Sequence, residues 1–266
     1  MKAEAGQALV LGTSPFGEAD VLVHLFCPQR GRLRGLVKGG AKKAAILQPL
    51  NTVEYERFRR LENQLGTLNV ELTISRAPLW LGGGAGSYVC TYLSELLTTF
   101  LPEEQPFPQL SERVLDLAAH MGEHHTWHHV LAFELFFLDI LGYGLRLTDP
   151  VHTAVPEGSA DELAYVSPRS GRTVGRVAAQ GYEHRLLPLP ACLGGPACDT
   201  AQDRAYAFAL TGAFLHKALP PHMGTTQPLL ARARLAGYYA RTDVNTTQEA
   251  HHAAQLLPIP PASQAA

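Results

Sequence analysis

The chain has 266 residues, 46% apolar and 17% charged, with a formal net charge of −2. That length favours two domains over one, and the apolar share suffices for a real core, which excludes a mostly disordered chain. The near-neutral balance gives no bulk sign of nucleic-acid binding, and four scattered cysteines (Cys27, Cys90, Cys192, Cys198) exclude a secreted disulfide scaffold.

No apolar run reaches the ~18–20 residues that span a bilayer. The best run, Val130 to Leu141, is interrupted by Glu134 and Asp139. Met1 to Gly6 carries one lysine and no apolar stretch ahead of a cleavage site, unlike a secretory signal. The expectation is a cytoplasmic protein with no membrane contact and reduced thiols.

In chain order, strands are predicted at 7–11, 20–27, 32–38, 52–58 and 67–74, with a turn at Pro28–Gly31 and a hairpin over Leu61–Gly66. The fourth strand alternates strictly, with Val53 and Tyr55 on one face and Glu54 and Glu56 on the other. Five short strands in about 75 residues suit a small barrel. The pattern alone leaves an OB-fold (oligonucleotide/oligosaccharide-binding) barrel, an SH3-like barrel and a sandwich all open.

Gly82–Gly86 reads as a joint, and no Lys-Ser/Thr follows it, so it is not a phosphate-binding loop. Helices are then predicted from Ser87 to Phe100, Ser111 to His120 and Thr126 to Leu141. The last takes Thr126 as N-cap and Gly142 as its stop. Its apolar residues run almost all round, so it should be the central core helix. Residues 143–199 have no sustained period and read as an irregular lobe, with a hairpin near Tyr165–Val166 and Arg172–Val174. Helix returns over Ala201–Leu219 and from Pro228 to about Arg241, and the chain from 243 on reads as a disordered tail. The domains expected are 1–80, 81–242 (with the lobe at 145–199) and the tail 243–266.

One segment carries a chemical signal. From Val21 to Val53 there is no Asp or Glu, yet the span holds Arg30, Arg32, Arg34, Lys38, Lys42 and Lys43. Clustered cations without carboxylates suit a phosphate backbone, and Gly31, Gly35, Gly39 and Gly40 would let the backbone approach a ligand. Arg57, Arg59 and Arg60 extend the footprint, diluted by Glu54, Glu56 and Glu62. The competing reading is a solvated loop.

Other clusters are less specific. His120, His124 and His128 are spaced i, i+4, i+8, and His125 and His129 form a second pair; on a continuous helix they could ligate zinc or nickel. Gly122 and the Thr126 cap favour a helix break and a solvated loop instead. Cys192 and Cys198 are six apart and no CxxC exists, which argues against structural zinc. No nucleophile elbow or carboxylate couple stands out, so no catalytic centre is predicted.

In order along the chain, Gly17-Glu18-Ala19-Asp20-Val21-Leu22-Val23, Gly31-Arg32-Leu33 through Val37-Lys38-Gly39-Gly40, Leu47-Gln48-Pro49-Leu50, Leu65-Gly66-Thr67-Leu68, Phe133-Glu134-Leu135 through Leu141-Gly142-Tyr143-Gly144, and Tyr165 to Arg172 resemble the bacterial RecO family of recombination mediators. The resemblance covers roughly residues 5–240. It implies an α+β protein: an N-terminal five-stranded OB-fold barrel, then a mainly α-helical domain with an irregular lobe. It implies binding of single- and double-stranded DNA and annealing of complementary strands. It also implies partnership with RecR and with the C-terminal tail of single-stranded DNA-binding protein (SSB), and through them loading of RecA on gaps. The protein would be cytoplasmic, nucleoid-associated when engaged in repair. Many relatives carry four zinc cysteines in the lobe; the stretches near Pro150–Thr153 and Gly175–Ala178 hold none here, so no cofactor is expected. Relatives often place Arg before the Phe-Glu-Leu run, where this chain has Ala132.

The leading reading is a non-catalytic DNA-binding mediator. A protein-interaction adaptor using the helical domain is the alternative, and a hydrolase built on the histidine segment is a third.

Overall fold

The period-2 patterns of the first 74 residues become five strands. These are β1 (Lys2–Phe16), β2 (Asp20–Cys27), β3 (Gly31–Val37), β4 (Thr52–Arg59) and β5 (Gly66–Ile74). The structure, a computed structural model, describes residues 2–61, 64–121, 123, 126–151, 161–197, 200–221 and 229–241. The expected tail from 243 lies outside the described residues.

The strands close into a barrel in the order β1-β2-β3-β5-β4, which returns to β1. All neighbours are antiparallel except β3 and β5, which run parallel through Gly35↔Gly66 and Leu36↔Thr67. This is the OB-like barrel among the three candidate architectures. Its interior is filled by Val10, Val23, Leu25, Leu33, Val37, Val53, Tyr55, Leu68 and Val70. A fully buried Val or Leu contributes about 1.5–3 kcal/mol by leaving water.

β1 is three times as long as the predicted 7–11. Gly6, Gly12 and Pro15 are poor strand formers, so local pattern under-reads it. Tertiary pairing supplies the difference: Lys2–Leu9 runs along β4 and Leu9–Phe16 along β2, with a bulge between Val10 and Gly12.

The chain forms two compact units, Met1–Gly122 with Leu229–Leu235, and Glu123–Pro228 with Ala236–Ala266. In the first unit the barrel is joined by α1 (Pro78–Leu81), α2 (Ala85–Phe100) and α3 (Pro108–Ala119). The Gly82–Gly86 joint is a turn at Gly83–Gly84, and Ala85 and Gly86 are already helical. α2 buries Val89, Leu93, Leu96, Leu97 and Phe100, a helical stripe. α3 begins three residues before the predicted Ser111, with Pro108 at its first position. There the missing N–H costs nothing, because it would have no intrahelical partner. The Glu95 carboxylate accepts the N–H groups of Ala231 and Arg232, both at 3.0–3.2 Å, and so caps α6 (Leu230–Arg241).

In the second unit α4 (Thr126–Ile140) is buried on nearly every side, as its composition predicts. Its stop is the expected one. Gly142 has φ +80°, Gly142 N–H donates to Asp139 O, and Tyr143 N–H donates to Leu138 O at 2.8 Å. These two bonds satisfy carbonyls that the helix end would otherwise orphan. The start differs: Thr126 is the first helical residue, not the cap, and its hydroxyl donates back to Glu123 O.

The described part of the lobe holds more regular structure than its composition suggests. The predicted hairpin is present as β6 (Leu163–Val166) and β7 (Thr173–Gly175). A third strand, β8 (Leu187–Pro188), pairs with β6 on its other side. Two clamps hold it. Arg172 donates to Asp149 Oδ1 and Pro150 O, each at 2.8 Å, and Asp161 accepts the N–H groups of Val177 and Ala178 at 2.8 and 3.0 Å. α5 (Thr200–Lys217) ties to the lobe through Lys217 Nζ, which donates to Arg169 O at 3.2 Å, and through buried Asp203, which accepts Cys192 N–H. Burial raises the Asp203 carboxyl pKa, and the Cys192 hydrogen bonds oppose that rise.

Candidate nucleic-acid interface

The basic segment leaves β3 at Val37 and folds into a single 3-10 turn, Gly40–Lys43. Two hydrogen bonds fix this turn to the β1–β2 hairpin: Gly39 N–H donates to Asp20 Oδ1 at 2.8 Å, and Ala41 N–H to Ala19 O at 3.1 Å. Lys38 and Lys42 are exposed and Lys43 is half-buried. Among the described residues no carboxylate lies within ion-pair distance of these three lysines or of exposed Arg60.

The chain beyond the turn is held by Asn51, which sequence reading did not single out. Its buried amide donates to Ala45 O and Ile46 O, both at 3.1 Å, and its Oδ1 accepts Arg76 N–H at 2.8 Å and Ala77 N–H at 3.3 Å. One side chain therefore pins the basic loop to the barrel's exit. The only sequence signal is a polar residue directly before an alternating strand.

The arginines have a different setting. Along β4, Arg57 and Arg59 continue the inward phase of Val53 and Tyr55, and each side chain is only 3% exposed. They meet two carboxylates at the barrel's end. Glu4 Oε1 lies 2.6 Å from Arg59 Nη2, and Glu104 Oε1 lies 2.8 Å from Arg57 Nη1 and 2.6 Å from Arg59 Nη1. A guanidinium shielded from water and held by carboxylates has no face left for a phosphate. Arg32 and Arg34 point outward from β3, where Glu103 is 3.4 and 2.9 Å from them. Arg30, still half-exposed, is 3.5 Å from Glu4 Oε2. Five of the nine predicted cations thus face carboxylates, while Lys38, Lys42 and Arg60 are exposed and half-buried Lys43 has no carboxylate partner among the described residues.

Glu103 and Glu104 went unread because Pro102–Pro108 reads simply as a break between helices. In the fold this segment lies along β3, with Glu104 N–H donating to Arg32 O at 2.9 Å and Arg32 Nε donating to Leu101 O at 2.9 Å. The close approach that Gly31 permits is taken by the chain's own Gln105, not by a ligand. Gly35 and Gly40 likewise pack on Leu68 and Val21.

Burial alone would raise the Glu104 pKa, but hydrogen bonds from Arg59 and Arg57 outweigh it and hold the carboxyl below its ordinary value. A depressed folded-state pKa stabilises above the unfolded value, about 4.3 for glutamate, and the contribution is lost as pH falls through the lower folded value. Glu104→Gln is therefore expected to be less stable than wild type at neutral pH, and the gap should begin to narrow as pH falls below about 4. Urea unfolding of both proteins from pH 7 to pH 3 checks this; a constant gap would mean the charge is irrelevant. His24, opposite Arg34 in the β2–β3 register, is held below its usual pKa, first by burial and then by Arg32 and Arg34.

The histidine segment is not a solvated loop throughout. His128 and His129 lie in the first turn of α4 and are buried, and His120 closes α3, with Nδ1 2.8 Å from Asp116 O. His124 and His125 lie outside the described residues, as does Cys198. Burial pushes the Cys90 thiol up to about 12, so it stays protonated and is no nucleophile at neutral pH. Among the described residues no helix is long and apolar enough to cross a membrane.

Residues 1–76 match the family model described as Recombination protein O N terminal, and residues 84–226 match Recombination protein O C terminal. The chain is 43% identical over 235 residues to the DNA repair protein RecO of Paracoccus denitrificans, covering 87% of this chain and 93% of that protein. It is 34% identical over 247 residues to the RecO of Methylocella silvestris (91% and 98% covered) and 38% identical over 227 residues to that of a Chelativorans species (84% and 90%).

Proposed function

We propose, for a chain that belongs to the recombination protein O family and so has a role in DNA repair and recombination, that the turn carrying Lys38, Lys42 and Lys43 is its principal contact with DNA phosphates. The observation that carries this reading is the division of cations. The arginines of the barrel are occupied by Glu4, Glu103 and Glu104, whereas the three lysines sit on an anchored turn with no carboxylate partner among the described residues. Arg60 and the half-exposed Arg30 and Arg34 add to the footprint at its margin, and buried Arg57 and Arg59 support the barrel from within.

The protein acts without catalysis. Lysines that neutralise phosphates on two strands lower the repulsion between them, and base pairing then supplies the sequence match, so the protein anneals complementary strands without reading bases. Single- and double-stranded DNA both offer the phosphate ladder this requires. RecR, the SSB tail and, indirectly, RecA are the protein partners of this reading.

The test is fluorescence anisotropy of a labelled single strand across a salt series. Three phosphate contacts give a log–log salt slope of about −2. The Lys42→Glu/Lys43→Glu double variant is expected to bind at least about tenfold more weakly, with a slope shallower by about 1.4. An unchanged slope and affinity would move the DNA off this turn. Salt-insensitive binding of wild type would favour a hydrophobic peptide groove and the adaptor reading.

A further inference from the structure

Beside the lysine turn, the first unit contains a cleft of about 400 Å³ that the phosphate reading leaves unused. Small-ligand sites span about 300–1,000 Å³, so the space suits a planar ring system. Its walls include Thr13, Gln48, Trp80, Thr91 and Ser94, and no charged residue lines it. Ala41 and Ala44 form part of its edge, and Lys42 and Lys43 are the two residues between them. The nearest acidic side chain in sequence, Asp20, is already engaged by Gly39 N–H.

We propose that this cleft takes a nucleobase of single-stranded DNA, flipped inward from a backbone whose phosphates lie on Lys42 and Lys43. The inference rests on the phosphate reading above and deepens it. A single strand has the matching layout of anionic outside and flat, partly polar inside, and a paired duplex does not present a base in this way. The cleft supplies each part of that layout. Trp80 offers an aromatic surface, and its Nε1 donates to Pro49 O at 3.2 Å, which holds the ring in place. Base–aromatic stacking is tolerant of sequence, as an annealing protein requires. Thr13, Gln48 and Thr91 put polar side chains on the wall beside Trp80, where the edge of a base can find partners. Cys90, also on the wall, is protonated at neutral pH and adds no repelling charge.

Tryptophan emission reads this directly, because the chain has two tryptophans and the other, Trp127, is fully buried. Titration with oligo(dT) is expected to quench emission in wild type and not in Trp80→Phe, while duplex DNA that binds equally by anisotropy leaves it unchanged. An abasic strand of the same length should bind wild type about fivefold or more weakly, the loss expected for one stacked base. Thr91→Phe, on an exposed position of α2, should fill the cleft and cause a similar loss with an unaltered salt slope, its fold checked by circular dichroism. Single-strand binding with unchanged Trp80 emission and equal affinity for the abasic strand would overturn the base site while leaving the phosphate reading intact. Absence of any binding at low salt would overturn both. Quenching by an unrelated neutral peptide, with none by oligo(dT), would assign the cleft to a protein partner and overturn the proposal.

Discussion

Replacing Glu4 with alanine is expected to lower the unfolding free energy by about 3–5 kcal/mol, the cost of leaving a buried charge without its partner. Glu4 lies on the inward face of β1, level with Arg57 in the β1–β4 register, and its carboxylate is 2.6 Å from Arg59 and 3.9 Å from Arg57. Both guanidiniums are 3% exposed, so water cannot replace the lost carboxylate. Glu104 would remain as a counter-charge to both arginines, from a side chain that is 38% exposed and better solvated. Apolar residues fill the rest of the lumen, and this ion cluster closes one end of it, so the damage should spread into the barrel. Urea unfolding checks the prediction: the midpoint should fall while the slope with denaturant stays near wild type. A loss below about 1 kcal/mol, the scale of an exposed pair, would mean that the arginines reach water after all.

The second large effect is expected from Gly31→Ala. Gly31 has φ +74°, a left-handed conformation that costs an L-residue about 1–2 kcal/mol. Sterics add more. A Cβ there would lie 1.7 Å from Gln105 O and 2.5 Å from its carbonyl carbon, both backbone atoms with no rotamer to escape into. Either β3 or the 101–105 segment must move. If the segment lifts, Glu103 leaves Arg32 and Arg34, and Glu104 leaves Arg57 and Arg59, so the change combines strain with a broken ion cluster. Such compound losses fall in the range above about 4 kcal/mol that single substitutions rarely reach. A glutamate-specific protease gives the local readout: cleavage at Glu103–Glu104 should be slow in wild type and fast in the variant. Equal cleavage rates and equal stability would show that the segment does not depend on close approach at this glycine.

Both predictions concern residues whose roles divide along an instructive line. Alternation along β4 already placed Arg57 and Arg59 in phase with Val53 and Tyr55, on the face that points inward, and Arg60 out of phase with them. Read strictly, that phase would have kept the first two out of the DNA footprint, because a side-chain period of two leaves no choice of face once one face is buried. The long stop at Gly142, the buried circumference of α4 and the absence of acidic residues across Val21–Val53 are equally local facts, legible without coordinates. They rest on forces between residues a few positions apart, or on composition alone.

The partners of the arginines were not legible in this way. Glu103 stands 69 residues from Arg34, and Glu104 stands 45 from Arg59. No periodicity links such positions; only barrel closure and the return of the chain after α2 bring them together. The same holds for β1, whose glycine-broken sequence becomes a full strand because two neighbours pair with it, and for Asn51, whose side-chain hydrogen bonds reach the segment before β4 and the segment after β5. Sequence by itself therefore determined the element types, the inward faces and the location of the basic segment. Tertiary structure decided which of those cations remain open to a polyanion, because charge availability depends on non-local carboxylates that desolvate and neutralise some side chains and leave others in water.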